Sequence, residues 1–278
     1  MKKKSKDISK NIPQNFAQIV DVLSVIKKVC NQNDIQVFLV GALARDIILK
    51  YLYNIDKEWR ATEDIDLAIN IDGWENYKKL TEILISKYQF EPESNIAHRF
   101  RYKKAILVDI LPFGSIAGND GSLFLPPEFT RKISVIGFNE VYNFTEYLKL
   151  SEDPGLEINV ASLPGIVILK LFSWDEEYPE RKHDASDIGI ILTNYIDAGN
   201  QERFYESDLL EQKDFDYDIS VARFLGRDIK NICSIKTLTA LLEILERRKD
   251  LFAKEIEVSK DINNALEIVT GLIIGIKE

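Results

Sequence analysis

Two aspartates one residue apart, Asp64 and Asp66, open the apolar stretch that continues through Leu67, Ala68 and Ile69. In a strand, side chains alternate faces, so Asp64, Asp66 and Ala68 share one side while Ile65, Leu67 and Ile69 share the other. The aliphatic side can enter a core. The acidic side places two like charges a few ångströms apart, which repel unless a cation lies between them. A hard divalent ion such as Mg²⁺ takes oxygen ligands from one or two carboxylates plus the phosphates of a substrate. The spacing therefore points to metal-assisted phosphate chemistry, although acid-x-acid triplets also occur on plain solvated strand ends.

Two further pieces bear on that reading. Gln36-Val37-Phe38-Leu39-Val40 has the composition of a buried strand. It runs into Gly41-Ala42, after which Leu43 to Leu49 has helix composition with apolar residues at Leu43, Ile47 and Ile48. A glycine turn between strand and helix lets a phosphate approach backbone N–H groups, or it simply supplies a backbone angle that the turn needs. Later, Asp109 is the only charged residue in the run Ala105 to Phe113, and Lys103-Lys104 turns that run back onto His98 to Tyr102. A carboxylate in such a run faces a polar cleft or is paired, with Arg99 and Arg101 as the available partners.

Together the three pieces resemble the nucleotidyltransferase superfamily with the DNA polymerase β fold. Its signature is a glycine-containing strand-to-helix turn, then Asp-x-Asp on a strand, then a third Asp on a later strand. Here these would be Gly41-Ala42, Asp64 with Asp66, and Asp109. The best local match is to bacterial nucleotidyltransferases related to AbiEii-type toxins, over about residues 35–197. Gly41 to Asp46 is also similar to the Gly-Gly-x-x-Arg-Asp segment of CCA-adding enzymes. Many family members carry a second Gly or a Ser where this chain has Ala42. The resemblance then leaves phosphate contacts to backbone N–H groups, Arg45 or a lysine elsewhere.

Lys170 is the candidate lysine, the only charged side chain between Asn159 and Trp174. Ser162 followed by Pro164 marks a helix start, and on that helix Lys170 lines up with Ile166, Val167 and Trp174. The next helix offers Asp184 and Asp187 on one face, behind Arg181-Lys182-His183. This arrangement is similar to the downstream part of the AbiEii-type pattern. Lys170 is either a nucleotide-phosphate ligand oriented by Asp184 or Asp187, or half of a structural pair with Asp187.

Composition bounds the rest. The 278 residues, 45 % of them hydrophobic, suffice for one large domain or two modest ones. Cys30 and Cys233 lie far apart and match no metal spacing, and with His98 and His183 as the only histidines zinc chemistry is not expected. The Met1-Lys2-Lys3-Lys4 start has no apolar run behind it and reads as a solvated tail, which together with the cysteines indicates a cytoplasmic protein. No apolar run is long enough for a bilayer. A net charge of −9 argues against a broad nucleic-acid-coating surface. His98, Arg99, Arg101, Lys103 and Lys104 form either a small basic strip for RNA or a lysine-bearing hairpin edge.

The hydrophobic pattern predicts helices over 14–30, 42–53 and 73–88, with strands at 36–40, 65–70, 96–102, 105–111, 132–137 and 156–160. From 162 onward helices are expected at 163–175, 184–197, about 203–211, 218–230, 235–249 and 256–274. The implied architecture is α/β: a polymerase β-like mixed sheet flanked by helices over residues 1–197 (core about 35–160), then a helical C-terminal domain over 198–278. Gly199-Asn200 and the acidic stretch from Glu206 to Asp218 would connect the two.

The resemblance implies transfer of a nucleoside monophosphate from a nucleoside triphosphate to a hydroxyl. Mg²⁺ or Mn²⁺ would sit on Asp64, Asp66 and Asp109, and the phosphates over Gly41-Ala42 with Arg45, Lys170 and Asp187 in support. It leaves the acceptor open between a tRNA 3′ end, a protein and a small molecule. It also implies a toxin–antitoxin or phage-defence setting with a cognate partner and no membrane. A non-catalytic nucleotide-binding or toxin-neutralising protein of this fold, and a CCA-adding-like enzyme, are the alternatives.

Overall fold

The computed structural model describes residues 4–59, 64–93, 96–126, 129–211 and 215–278. It forms two compact units: Met1–Ile47 with Lys57–Ala161, and Ile48–Asp56 with Ser162–Glu278.

Among the described residues, the first unit is built on ten strands: β1 Lys6–Asp7, β2 Gln36–Val40, β3 Asp64–Asn70, β4 Phe90–Pro92, β5 Arg99–Tyr102, β6 Ile106–Phe113, β7 Ser122–Leu125, β8 Arg131–Ser134, β9 Glu146–Ser151 and β10 Leu156–Val160. Eight of them make one sheet in the order β1-β9-β10-β2-β3-β6-β5-β4, and β7 and β8 form a separate hairpin. The sheet is mixed. Strand β3 runs antiparallel to β2 and parallel to β6, and β6 runs antiparallel to β5. Helices α1 Ala17–Gln32 and α3 Trp74–Tyr88 pack on each other, and α1 also lies against β2 and β10. Their apolar stripes explain this: Val22, Leu23, Ile26 and Val29 of α1 and Leu80 and Leu84 of α3 are all buried. Two short helices complete the unit, α2 Gly41–Asp46 and α4 Phe138–Asn143.

The second unit is helical: α5 Leu163–Glu176, α6 His183–Asn194, α7 Gln201–Tyr205, α8 Tyr217–Ile232, α9 Ile235–Arg247, α10 Lys249–Glu255 and α11 Ile262–Lys277. Helix α5 is apolar nearly all round, so it needs neighbours on several sides, and it packs on α6, α8 and α9. That packing places α5 and α6 with the C-terminal helices, so the units part after Ala161 and not at the 197/198 boundary expected from sequence.

Several local expectations shift for identifiable reasons. The helix expected from 256 begins at Ile262, because Asp261 accepts the Asn263 N–H as a cap and Glu257 takes a left-handed φ of 57°. The helix expected over 235–249 divides at Arg248 into α9 and α10. That expected over 42–53 is α2 followed by π-type turns over Ile47–Leu52. Strand β5 is not an edge, because β4 covers it and ends in Pro92, a residue suited to an edge. Just past the expected tail Met1-Lys2-Lys3-Lys4, Lys6 and Asp7 pair in parallel with β9, while Met1, Lys2 and Lys3 lie outside the described residues. The acidic connection is a 3₁₀ turn at Asp208–Glu211 and a cap at Asp216, with residues 212–214 outside the described set.

Candidate active site

Period-2 alternation on β3 operates as the sequence implies. Ile65 and Leu67 are buried at 2 % and 0 % exposure, and Asp64 and Asp66 turn to the other face. Strand β6 lies alongside in parallel, with Asp66 directly opposite Asp109. Carboxylate oxygens of Asp64, Asp66 and Asp109 all come within 4.8 Å of one another. Asp109 is buried, whereas the Asp64 side chain keeps 37 % of its exposure, so the cluster opens to solvent on the Asp64 side.

Arg99 joins them. Its Nε donates to Asp109 Oδ1 at 2.7 Å and its Nη2 to Asp109 Oδ2 at 2.6 Å, and Nη2 lies 3.6 Å from Asp64 Oδ2. The hydrogen-bonded Asp109 carboxylate, then the charges of Asp109, Asp64 and Asp66, hold the guanidinium above its already high ordinary pKa. Sequence reasoning weighs Arg99 as a salt-bridge partner of Asp109 or as part of a basic strip, not as a member of the triad's surroundings. Its place among all three carboxylates follows from the β5–β6 register, in which Arg99 faces Asp109.

Gly41 follows Val40, which pairs with Asp66 across β2 and β3. Its φ is +71°, and a Cβ there would collide with the Asp66 carboxylate, reaching 2.8 Å from Cγ and 3.0 Å from Cβ. The glycine is thus required twice, for a left-handed turn and for room beside Asp66. Gly41→Ala is expected to cost about 1–2 kcal/mol in backbone strain alone and to displace Asp66. A lowered Tm together with lost transfer is the expected result, and a variant equal to wild type in both would remove this role. Ala42 is buried next to Gly41.

The remaining expected site residues, Arg45, Lys170 and Asp187, are each engaged by side chains of their own unit. Arg45 is fully buried: its Nε and Nη2 donate to Asp46 Oδ1 at 2.9 and 2.7 Å, and its guanidinium lies 5.6 Å from the Trp59 ring centroid. With a side-chain exposure of 0 %, it offers no surface to a phosphate. The basic strip is also neutralised locally, Arg101 by Glu93 and Lys103 by Asp21 at 2.7 Å each. In the second unit, Lys170 donates to Asp184 Oδ1 and Asp187 Oδ2, both at 2.6 Å, and all three residues are buried. Arg181 adds a bond from Nε to Asp184 Oδ2 at 2.8 Å.

A polar cavity of about 400 Å³ lies at the opposite ends of β2 and β3 from the carboxylates, lined by Asn33, Gln36, Asn70 and Asp72 among others. Its side chains bond one another, Asn70 to Gln36 at 3.0 Å and Asn76 to Asp72 at 2.6 Å. It contains none of the acidic triad.

A mixed sheet that carries an Asp-x-Asp pair beside a third aspartate on the parallel neighbouring strand, next to a glycine turn, defines a nucleotidyltransferase of the polymerase β type. The chain belongs to the family described as nucleotidyl transferase AbiEii toxin, Type IV TA system, whose model matches residues 29–256. No curated protein sequence matches it. Among solved structures, it is similar to an antigenic nucleotidyltransferase-like protein from Paracoccidioides brasiliensis (17 % identity, covering 87 % of this chain and 93 % of that one, TM-score 0.40). It is also similar to ANT(2″)-Ia in complex with adenylyl-2″-tobramycin (13 %, 68 % and 99 %, 0.34). A third is the Thermotoga maritima CCA-adding enzyme complexed with tRNA (12 %, 98 % and 84 %, 0.30).

Proposed function

We propose that this nucleotidyltransferase moves a nucleoside monophosphate from a nucleoside triphosphate to a hydroxyl acceptor, using a divalent cation held by Asp64, Asp66 and Asp109. The observation that carries the reading is the meeting of three carboxylates from two adjacent parallel strands. Their donor chemistry fits a hard ion: all ligands are oxygen, as Mg²⁺ and Mn²⁺ prefer, and the Asp64 side is open to solvent. When bound, such an ion neutralises charge on the phosphates and on the leaving pyrophosphate.

The chain's own residues do the rest. Backbone N–H groups of the Gly41-Ala42 turn receive the phosphates, because Arg45 is buried and Ala42 has no hydroxyl. Asp64 and Asp66 hold one side of the ligand set and Asp109 completes it. The acceptor oxygen forms a bond to the α-phosphorus, the bond from that phosphorus to the bridging oxygen breaks, and pyrophosphate leaves. The hydroxyl proton passes to the Asp109 carboxylate.

The biological setting of this reading is a toxin of a toxin–antitoxin system with an antitoxin as partner, acting in the cytoplasm. Among the described residues no helix is long and apolar enough to cross a membrane. The acceptor is a tRNA 3′ end, a protein hydroxyl or a small molecule. Each α-labelled triphosphate, incubated with the protein, Mg²⁺ and total RNA, lysate protein or small-molecule extract, decides among them. Label transferred to one fraction is expected. Triphosphate binding with no transfer to any fraction would favour the non-catalytic reading.

A further inference from the structure

We propose that the exposed aromatic and acidic face where α7 ends and α8 begins, in the second unit, docks an arginine-bearing segment of a partner protein. Tyr205 closes α7 and Tyr217 opens α8, and they are 59 % and 45 % exposed. Both rings meet the buried Phe204 ring edge to face, at centroid distances of 5.6 and 5.7 Å. Phe215, two positions before Tyr217, adds a third ring at 42 % exposure. Apolar side chains scattered singly over a surface are ordinary, whereas aromatic residues gathered on one buried ring have the composition of an interface. Tyrosine also offers a large contact area with little rotamer freedom to lose.

The charge around the rings selects the partner. Partial burial pushes the Tyr217 hydroxyl above its ordinary 10.0, and Tyr205, Asp197 and Asp218 add to the rise because they lie close to it. Asp197, Asp218 and the neighbouring Glu206 are exposed and form no ion pair among the described residues; Asp197 accepts a hydrogen bond from Gln201 Nε2 at 3.1 Å. Such carboxylates repel the phosphates of a nucleic acid or an anionic lipid and attract a basic segment. The same unit shows what fills a place of this kind. Arg248 lies 5.6 Å from the Trp174 centroid and 5.5 Å from the Tyr178 centroid, with its Nε 2.7 Å from Asp175 Oδ1. Arg203 lies 5.0 Å from the Phe224 centroid and donates from Nη2 to Asp228 Oδ1 at 2.5 Å. In both, one planar guanidinium stacks on a ring and bonds a carboxylate at once, which an ammonium does less well. At Tyr205 and Tyr217 the rings and the carboxylates are present, and no arginine among the described residues joins them. A partner's arginine completes the set.

The test is selection of a phage-displayed random dodecapeptide library on the full chain, followed by fluorescence anisotropy of the enriched peptides. Peptides carrying arginine beside an apolar residue are expected, with binding that weakens as salt is raised. Tyr205→Ser combined with Tyr217→Ser should weaken that binding about tenfold or more. Asp197→Asn combined with Asp218→Asn leaves the rings in place and should also weaken it, and this variant carries the comparison if the tyrosine variant does not fold. Replacing the peptide's arginine by lysine should give an intermediate affinity. Enriched peptides without arginine, binding unchanged in both variants, or no enrichment at all would overturn the proposal. A concentration-dependent dimer of wild type that the tyrosine variant abolishes would assign the face to a second copy of this chain and overturn it as well.

Discussion

Asp66→Asn is expected to abolish nucleotidyl transfer and leave the fold in place. Asparagine has nearly the same shape, and β3 is held on both sides by ladders to β2 and β6, so the backbone has no reason to move. What disappears is the charge at the centre of the ligand set, between Gly41 and Asp109. A ligated ion contributes several kcal/mol of transition-state charge stabilisation, so a loss of about a thousandfold or more in kcat/KM is expected. Single-turnover label transfer and a melting curve on one preparation check both halves. Transfer within tenfold of wild type would sink the assignment. Asp109→Asn should differ in kind, since it also deprives Arg99 of its bidentate partner; Tm is expected to fall along with activity.

Lys170→Ala is expected to lower stability strongly. Lys170 is 5 % exposed, and its ammonium joins Asp184 on one side to Asp187 on the other, tying α5 to α6 within the second unit. Removing one member of a buried ionic cluster costs about 3–5 kcal/mol, because the desolvation of the others is no longer offset. Asp184 keeps Arg181, so the lower end of that range applies. For a chain of this size the fall in Tm should be on the order of 10 °C.

The pH dependence gives a second check. Burial pushes the Lys170 ammonium down, but the charges of Asp184 and Asp187 outweigh it and hold the group above its ordinary 10.5. Burial pushes Asp184 up, but Lys170 and then Arg181 hold it below its ordinary 3.8. A cation with a raised pKa contributes stability below 10.5 that is lost as pH rises through the folded value. A carboxylate with a lowered pKa contributes above 3.8 and loses it as pH falls through the folded value. The Tm gap between wild type and Lys170→Ala should therefore be full near neutrality and close at both extremes. Weakened triphosphate binding with an unchanged Tm would instead assign Lys170 as a phosphate ligand.

How much of this was legible beforehand depended on range along the chain. Strands β2 and β10 were readable residue for residue because short apolar runs bounded by turn signals are local features. Strand β9 was not, since Glu146, Tyr147 and Lys149 dilute its Leu148-Leu150 alternation, and its pairing with β10 and β1 is what makes it a strand. The Asp64–Asp66 face was implied by alternation alone. That Asp109 lands opposite Asp66 and not two residues away is a matter of register between strands some forty positions apart, which no local pattern encodes.

The same division separates the charged residues. By itself the sequence determined which residues could do chemistry and in what order: a glycine turn, an Asp-x-Asp strand, a lone Asp in an apolar run, a lone Lys on an apolar helix. Only the tertiary structure decided their partners. Arg99 went to Asp109 by cross-strand pairing, Arg45 into the interior against Asp46 and Trp59, and Lys170 to two aspartates on the next helix. The physical reason is that side-chain direction follows from the repeat of a single helix or strand, whereas the partner of a buried charge depends on which other element the core brings within about 3 Å of it.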